Sequence, residues 1–437
     1  MDWEEFKDKV YWILVNFVDQ YKILYEYDRI TFYVDEYEFI YTKTDYERFL
    51  CSLNNYKYNN FILHKEEKYE VVIYELKDNE IGFFMFDYQG RVYNSDESMS
   101  LKVSDISDEM LYFLIKDIDM NKYFKAFNIK YIDEYQLSDF NLWKLLKLAM
   151  NNLKSIAVNY QGSIKEEDAV NLINSYFFEI SLENSELFRI ATTSENVFGK
   201  ETCYDTVQTM SRFKVFPKRI YNQELLDQYN IATMSNDPML QFIGYYHVLE
   251  YFFKRVLADE AYNYLLENIC GFKNYKFIEE DLQTICEMIN IKYNSLMRIT
   301  EQNVLELVLK NYVDIDILKK QIDKDFYYKA DYDDNLIRYG DYVKHSENRE
   351  HYMNHMVSFS KGNKVDLDVD DVDVIYKNLK ERIYKTRNAI VHSKASVENT
   401  VSNNYYKPFE NDVELENEIP LIKAIAEQII INTAEKI

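Results

Sequence analysis

Arg387 and His392 are the pair in this 437-residue chain whose types and spacing best suit chemistry on a phosphodiester. An imidazole titrates near neutrality and can take or return a proton. A guanidinium can hold phosphoryl oxygens as charge grows on them. Asn388, next to the arginine, can orient a phosphate or hold His392. Cleavage of RNA through its own 2'-hydroxyl needs such groups: a base for the hydroxyl proton and an acid for the leaving 5'-oxygen. The spacing alone is not distinctive, because Arg338 with His345 and Arg349 with His355 have similar separations. Context separates the third pair. Ile390 and Val391 are expected to anchor its end in the core, and the run closes a strongly periodic helix. Plainer roles stand beside the chemical one: His392 as a helix-end residue, and Arg387 in a salt bridge to Glu250 or another core-facing acid.

Helix geometry constrains how the pair can meet. At 3.6 residues per turn, a five-residue step rotates a side chain by about 140°. In an unbroken helix the two side chains would face nearly opposite sides. The helix is therefore expected to end near Val391, with His392 opening a turn. Ser393, Ser396 and Asn399 favour a break there, since short polar side chains compete for backbone partners. A two-fold axis can also bring His392 of one copy to Arg387 of another, and a helix end combined with a shared dimer cleft is expected.

The positioning element is predicted over 370–391. Val372, Ile375, Leu379, Ile383, Thr386 and Ile390 recur every three or four residues and form its buried stripe. Lys380, Tyr384, Arg387 and Val391 follow a neighbouring stripe. Between 376 and 394 stand six Lys or Arg against Glu381, a net +5 within a chain of net -24. Such a reversal can gather phosphate from an RNA. It equally suits the cation preference of a helix C-terminal half.

The run Arg387-Asn388-Ala389-Ile390-Val391-His392 resembles the signature of the HEPN-domain ribonucleases: an arginine, commonly a polar residue next, and a histidine after four to six residues. The resemblance covers roughly residues 237–437. It implies an all-helical bundle with the motif late in it, a homodimer lining one cleft with two motifs, and RNA cut without a metal or other cofactor. Many such proteins act in toxin–antitoxin or abortive-infection defence, and some are inactive scaffolds. The first helix of that family often carries a polar or acidic residue supporting the site, and by resemblance Glu250 would fill that place. The stretch 329–369 departs from a compact helical core and reads as an insertion.

The expected fold class is an α+β N-terminal region over residues 1–236, followed by an all-α, HEPN-like helical bundle over 237–437. A helix is expected over 3–18, and strand-like alternation covers 28–41. An antiparallel meander is expected from 69–76, 81–86 and 91–93, separated by turn residues. Helical periodicity covers about 105–126 and 137–156, while 160–230 is too mixed to assign. Asp237-Pro238 is a strong helix start. The segment 239–267 then keeps one apolar face through Phe242, Ile243, Tyr246, Leu249, Phe253, Val256 and Leu257. Further helices are expected over 277–290, 300–312, 315–328 and 420–434.

Composition excludes several classes. There are 75 acidic residues against 51 basic ones, a balance that opposes high-affinity, nonspecific binding of a phosphate backbone. With 8 glycines and neither GxGxxG nor GxxxxGK[ST], a dinucleotide or P-loop fold has no support. The 41 tyrosines reflect base composition or a surface for a regulatory protein partner in the N-terminal region. Met1-Asp2-Trp3-Glu4-Glu5 places acid where a secretory signal needs base, and no apolar run reaches spanning length. The cysteines, Cys51, Cys203, Cys270 and Cys286, are far apart and read as reduced, mostly buried thiols. A cytoplasmic protein without membrane contact is expected. The run Asp366, Asp368, Asp370, Asp371, Asp373 lacks the glycine and glutamate of a calcium loop and reads as a solvated edge leading into a helix. His345, His351 and His355 lack the further ligands of a zinc site. His247 reads as a core or interface histidine.

Overall fold

The computed structural model describes residues 1–14, 22–34, 37–75, 91–94, 97–117, 140–150, 153–184, 188–198, 216–269, 299–325, 353, 355–392 and 405–436. These form two compact units, Met1–Ile220 with Lys436, and Tyr221–Glu435.

The first unit is α+β. Its elements are α1 (Trp3–Leu14), β1 (Ile23–Tyr25), β2 (Arg29–Val34), β3 (Tyr37–Thr42), α2 (Lys43–Ser52), β4 (Lys57–Asn59), β5 (Ile62–Lys65), β6 (Lys68–Glu75), β7 (Arg91–Tyr93), β8 (Met99–Asp105), α3 (Asp108–Asp117), α4 (Leu142–Ala149), β9 (Lys154–Tyr160), α5 (Glu166–Asn184), β10 (Phe188–Ile190) and α6 (Ser194–Phe198). The first three strands make a small antiparallel sheet. A seven-stranded sheet runs β4-β5-β6-β9-β8-β7, with β10 also pairing with β6. Period-two alternation explains how two cores share that larger sheet. Tyr69, Val71 and Ile73 of β6, with Ile156, Val158 and Tyr160 of β9, pack with Leu172, Ile173 and Phe177 of α5. Val72 of β6 joins the opposite core, with Phe6 of α1, Leu111 of α3 and Trp143 of α4.

Several expectations change here. The strand 68–75 is present, but β9 lies beside it, and Arg91–Tyr93 pairs with β8 instead. Residues 81–86 of the expected meander lie outside the described residues. The helix expected over 137–156 ends at Ala149, and Lys154–Tyr160 is a strand between β6 and β8. Its run Ser155-Ile156-Ala157-Val158 is buried on both faces, so it lacks the alternation that marks a half-exposed strand. Cys51 is exposed, whereas the other three cysteines lie outside the described residues.

The second unit is mostly helical: α7 (Gln223–Met234), α8 (Pro238–Glu250), α9 (Phe253–Ile269), α10 (Glu301–Tyr312), α11 (Ile315–Asp325), α12 (Val372–Val391), α13 (Asp412–Glu416) and α14 (Ile419–Asn432). Asp237 caps α8 by accepting from the backbone of Met239 at 2.8 Å, with Pro238 in the first turn. A break at Tyr251 and Phe252 divides the expected 239–267 helix in two. The predicted helix 277–290 lies outside the described residues. The bundle centres on α14, whose Leu421, Ile422, Ala424, Ile425, Ala426, Ile429 and Ile430 are all buried, the pattern of a helix covered on every side. It packs against α8, α10 and α11.

Helix α7 precedes the expected boundary at 237 yet belongs to this unit. It meets α8 where Gly244 faces Ala232; a Cβ at Gly244 would sit 2.8 Å from that of Ala232. Part of the supposed insertion is also core. Val357, Phe359, Val365 and Leu367 are buried, and Ser360 Oγ lies 3.1 Å from Thr386 Oγ1 of α12. Among the described residues, no helix is long and apolar enough to cross a membrane.

Candidate functional site

Helix α12 carries the motif. Asp371 caps its start, accepting from Asp373 N at 3.1 Å, so the aspartate run leads into the helix through this contact. Ile375, Leu379, Ile383, Thr386 and Ile390 are buried, which fixes the rotation of the helix. Val372 and Val391, at its two ends, are exposed instead, at 45% and 48%. The last turn places Ile390 in the core and lets Val391 face water.

The helix ends near Val391, as expected. Val391 is its last residue, and His392 is the cap, with φ −100° and ψ 32°. The His392 amide donates to Asn388 O at 2.9 Å. The amide of Tyr406 donates to Ala389 O at 3.0 Å, so a later segment satisfies another carbonyl of the last turn. The His392 side chain is exposed.

Arg387 lies on three supports. Its Nη1 donates to Asn388 Oδ1 at 3.1 Å. Its Nη2 is 3.7 Å from Glu301 Oε1, and its Cζ sits 5.4 Å from the centre of the Tyr246 ring. Tyr246 closes the cluster by donating its hydroxyl to the same Glu301 oxygen at 2.8 Å. Three helices supply these groups: α8 gives Tyr246, α10 gives Glu301 and α12 gives Arg387 and Asn388. Thr300 caps α10 through Asn303 N, which sets Glu301 in the first turn. Burial, then the hydrogen bond to Glu301 and its charge, hold the Tyr246 phenol far above its ordinary range; Arg387 opposes the rise.

Glu250, expected to support Arg387, has another neighbour. It ends α8 one turn beyond Tyr246, and its carboxylate is 3.9 Å from His247 Nε2. Both are largely exposed, so His247 is not a core residue. The acid beside Arg387 is Glu301. Two local signals bear on this cluster: Thr300-Glu301 is a helix-start pattern, and Tyr246 lies on the apolar face of α8. Nothing local joins either to Arg387.

The basic stretch is largely neutralised by folding. Lys380 pairs with Glu306, and Lys385 with Glu381 at 3.0 Å. Arg382 is buried against Glu418, and Arg387 faces Glu301. Burial favours the neutral form of Glu306, but the ammonium groups of Lys380 and Lys310 outweigh it and hold the carboxyl below its usual range. Lys377 is exposed, and Lys394 lies outside the described residues.

Among the described residues, no three His, Cys, Asp or Glu side chains are grouped to hold a metal. Of the three clustered histidines, His345 and His351 lie outside the described residues. No protein-family model, curated protein or solved structure matches the chain.

Proposed function

We propose that the protein is a metal-independent endoribonuclease with a HEPN-like helical domain, acting as a homodimer in toxin or anti-phage defence. The observation that carries this reading is the end of α12 at Val391, which leaves His392 exposed one residue past a helix whose last turns hold Arg387 and Asn388. Because the His392 amide keeps its bond to Asn388 O, the two side chains of one copy still diverge by about 140°, and it is the second copy that brings its His392 to Arg387. In this mechanism the 2'-oxygen of RNA attacks the adjacent phosphorus as one imidazole takes its proton. The bond to the 5'-oxygen breaks, and that oxygen receives a proton from a second imidazole, supplied by the other copy. The products are a 2',3'-cyclic phosphate and a 5'-hydroxyl. Arg387 and Asn388 hold the phosphoryl oxygens. Unpaired RNA is the expected substrate, because loops let the backbone reach in-line geometry. The α+β unit is assigned a regulatory role, with a protein partner.

The test is incubation of the purified protein with total RNA in EDTA, beside His392→Ala. Cleavage in EDTA that falls by orders of magnitude in the variant supports the reading; a strict magnesium requirement sinks it.

The neutralised cations of α12 favour a second reading, an inactive scaffold that uses the same helical domain for protein contacts. It predicts stable assembly, measured by light scattering, with no RNA cleavage under either condition.

A further inference from the structure

A guanidinium that binds substrate phosphate is normally open to it, but Arg387 already faces a carboxylate. Glu301 is not a chance surface neighbour. Its Oε1 is fixed by the Tyr246 hydroxyl at 2.8 Å, and Tyr246 is itself almost wholly buried. The contact to Arg387 Nη2, at 3.7 Å, is an ion pair longer than a hydrogen bond. Arg387 keeps partial exposure, 18% of its side chain, and Glu301 keeps 33%. The carboxylate thus cancels the charge of Arg387 without using up its N–H donors. Asn388 takes one donor, and the Tyr246 ring covers one face of the guanidinium. Oxygens of a carboxylate and of a phosphodiester suit the same donor edge of a guanidinium.

We infer that Glu301 is an internal stand-in for substrate phosphate: latched by Tyr246, it holds Arg387 in place with its charge balanced until a phosphodiester of single-stranded RNA displaces it. This rests on the ribonuclease reading for the identity of the ligand. The contact makes Glu301 and Tyr246 positioning residues that trade affinity for an aimed guanidinium. Removing the Glu301 charge should therefore tighten RNA binding, which is opposite to the loss expected if Glu301 merely supported the fold.

The experiment uses the full chain and a labelled single-stranded oligonucleotide with 2'-deoxy sugars throughout, which lacks the attacking hydroxyl and so reports binding alone. Glu301→Gln keeps the side-chain shape and the acceptor for Tyr246. Its affinity should rise about two- to fivefold, the range of a partly exposed ion pair. The slope of log affinity against log salt should steepen by up to about 0.7, the contribution of one more neutralised phosphate on a single strand. Arg387→Gln in the Glu301→Gln background should abolish both gains. Tyr246→Phe frees the latch and should shift affinity in the same direction by less, with thermal melting to verify that each variant is folded. Unchanged or weaker binding in folded Glu301→Gln, or no binding by either protein, overturns the inference. Tighter binding without cleavage of the all-ribose oligonucleotide leaves the stand-in intact and removes the ribonuclease reading.

Discussion

Arg382 and Glu418 form a two-point ion pair inside the helical unit: Nε meets Oε2 at 2.8 Å and Nη2 meets Oε1 at 2.7 Å. Neither side chain is more than 2% exposed. Nη1 spans to the carbonyls of His355 and Asn363, at 2.8 and 2.9 Å. One guanidinium therefore ties α12 to the segment before it and to the residue preceding α14. Its cost of burial is met only while every partner is present. Arg382→Ala or Glu418→Ala should each destabilise the unit by about 3–5 kcal/mol, because each leaves a buried charge unmatched. Replacing both with apolar residues of similar volume should recover much of that loss. Urea unfolding of the single and double variants measures the difference.

The contact between α7 and α8 gives a steric prediction. Alanine at Gly244 gains about 1 kcal/mol in helix propensity. Its Cβ, however, would lie 2.8 Å from the Ala232 Cβ and 3.2 Å from the Ala232 Cα, so backbone must move. Overpacking costs typically about 1–3 kcal/mol, and the balance should be destabilising. Gly244→Ala is expected to lower the thermal midpoint, and adding Ala232→Gly to recover part of the loss, since the contact to the residue 232 Cα remains.

An acid-sensitive prediction falls on the first unit. Glu70 is buried on the same face of β6 as Val72, where Lys68 Nζ donates to its Oε2 at 2.8 Å and Ser107 N and Ser155 Oγ donate to its Oε1 at 2.8 and 2.9 Å. Burial pushes its pKa up, but the charge and hydrogen bond of Lys68 and the bonds from Ser107 outweigh that and hold it below the ordinary value. A depressed carboxyl stabilises the fold fully above the unfolded-state pKa, near 4.3, and the contribution fades as pH falls through the lower folded value. Glu70→Gln should be less stable than wild type at pH 7. The gap should shrink below about pH 4, as followed by pH-dependent urea unfolding.

Glu250 and Glu301 should behave differently. The 3.9 Å pair of Glu250 with His247 is largely exposed, with both side chains over 40% accessible. Glu250→Ala should change stability by less than about 0.5 kcal/mol. A loss of several kcal/mol on calorimetry would show that Glu250 has a structural role beyond that pair.

The motif helix was legible because its signals are local. An aspartate cap, a stripe at intervals of three and four, and a polar run after Val391 fixed its start, face and end. The partners of its charges were not legible. Glu301, Glu306 and Glu418 lie on other elements, and no local pattern specifies which acid meets Lys380, Arg382 or Arg387. The strand 154–160 failed for another reason. An interior strand covered on both faces is continuously apolar, and it can be read as the last turns of the helix before it. The region 160–230 resisted reading because α5 buries residues on several sides, with Ile173, Ser175, Tyr176, Phe177 and Phe178 all enclosed, and so lacks a clear amphipathic stripe.

The order of the large sheet sets a timetable for synthesis. Strand β5 reaches β6 through a tight turn, but the other long edge of β6 meets β9, and Glu70 and Ser155 are 85 residues apart. At about 5–20 residues per second, a ribosome needs roughly 4–17 s to make that intervening length. Until then, β6 has emerged without β9, and its apolar alternate residues lack their native neighbours. Chains interrupted before residue 160 should therefore be the aggregation-prone species of this protein, and a chaperone that binds extended apolar segments should engage it most in that interval.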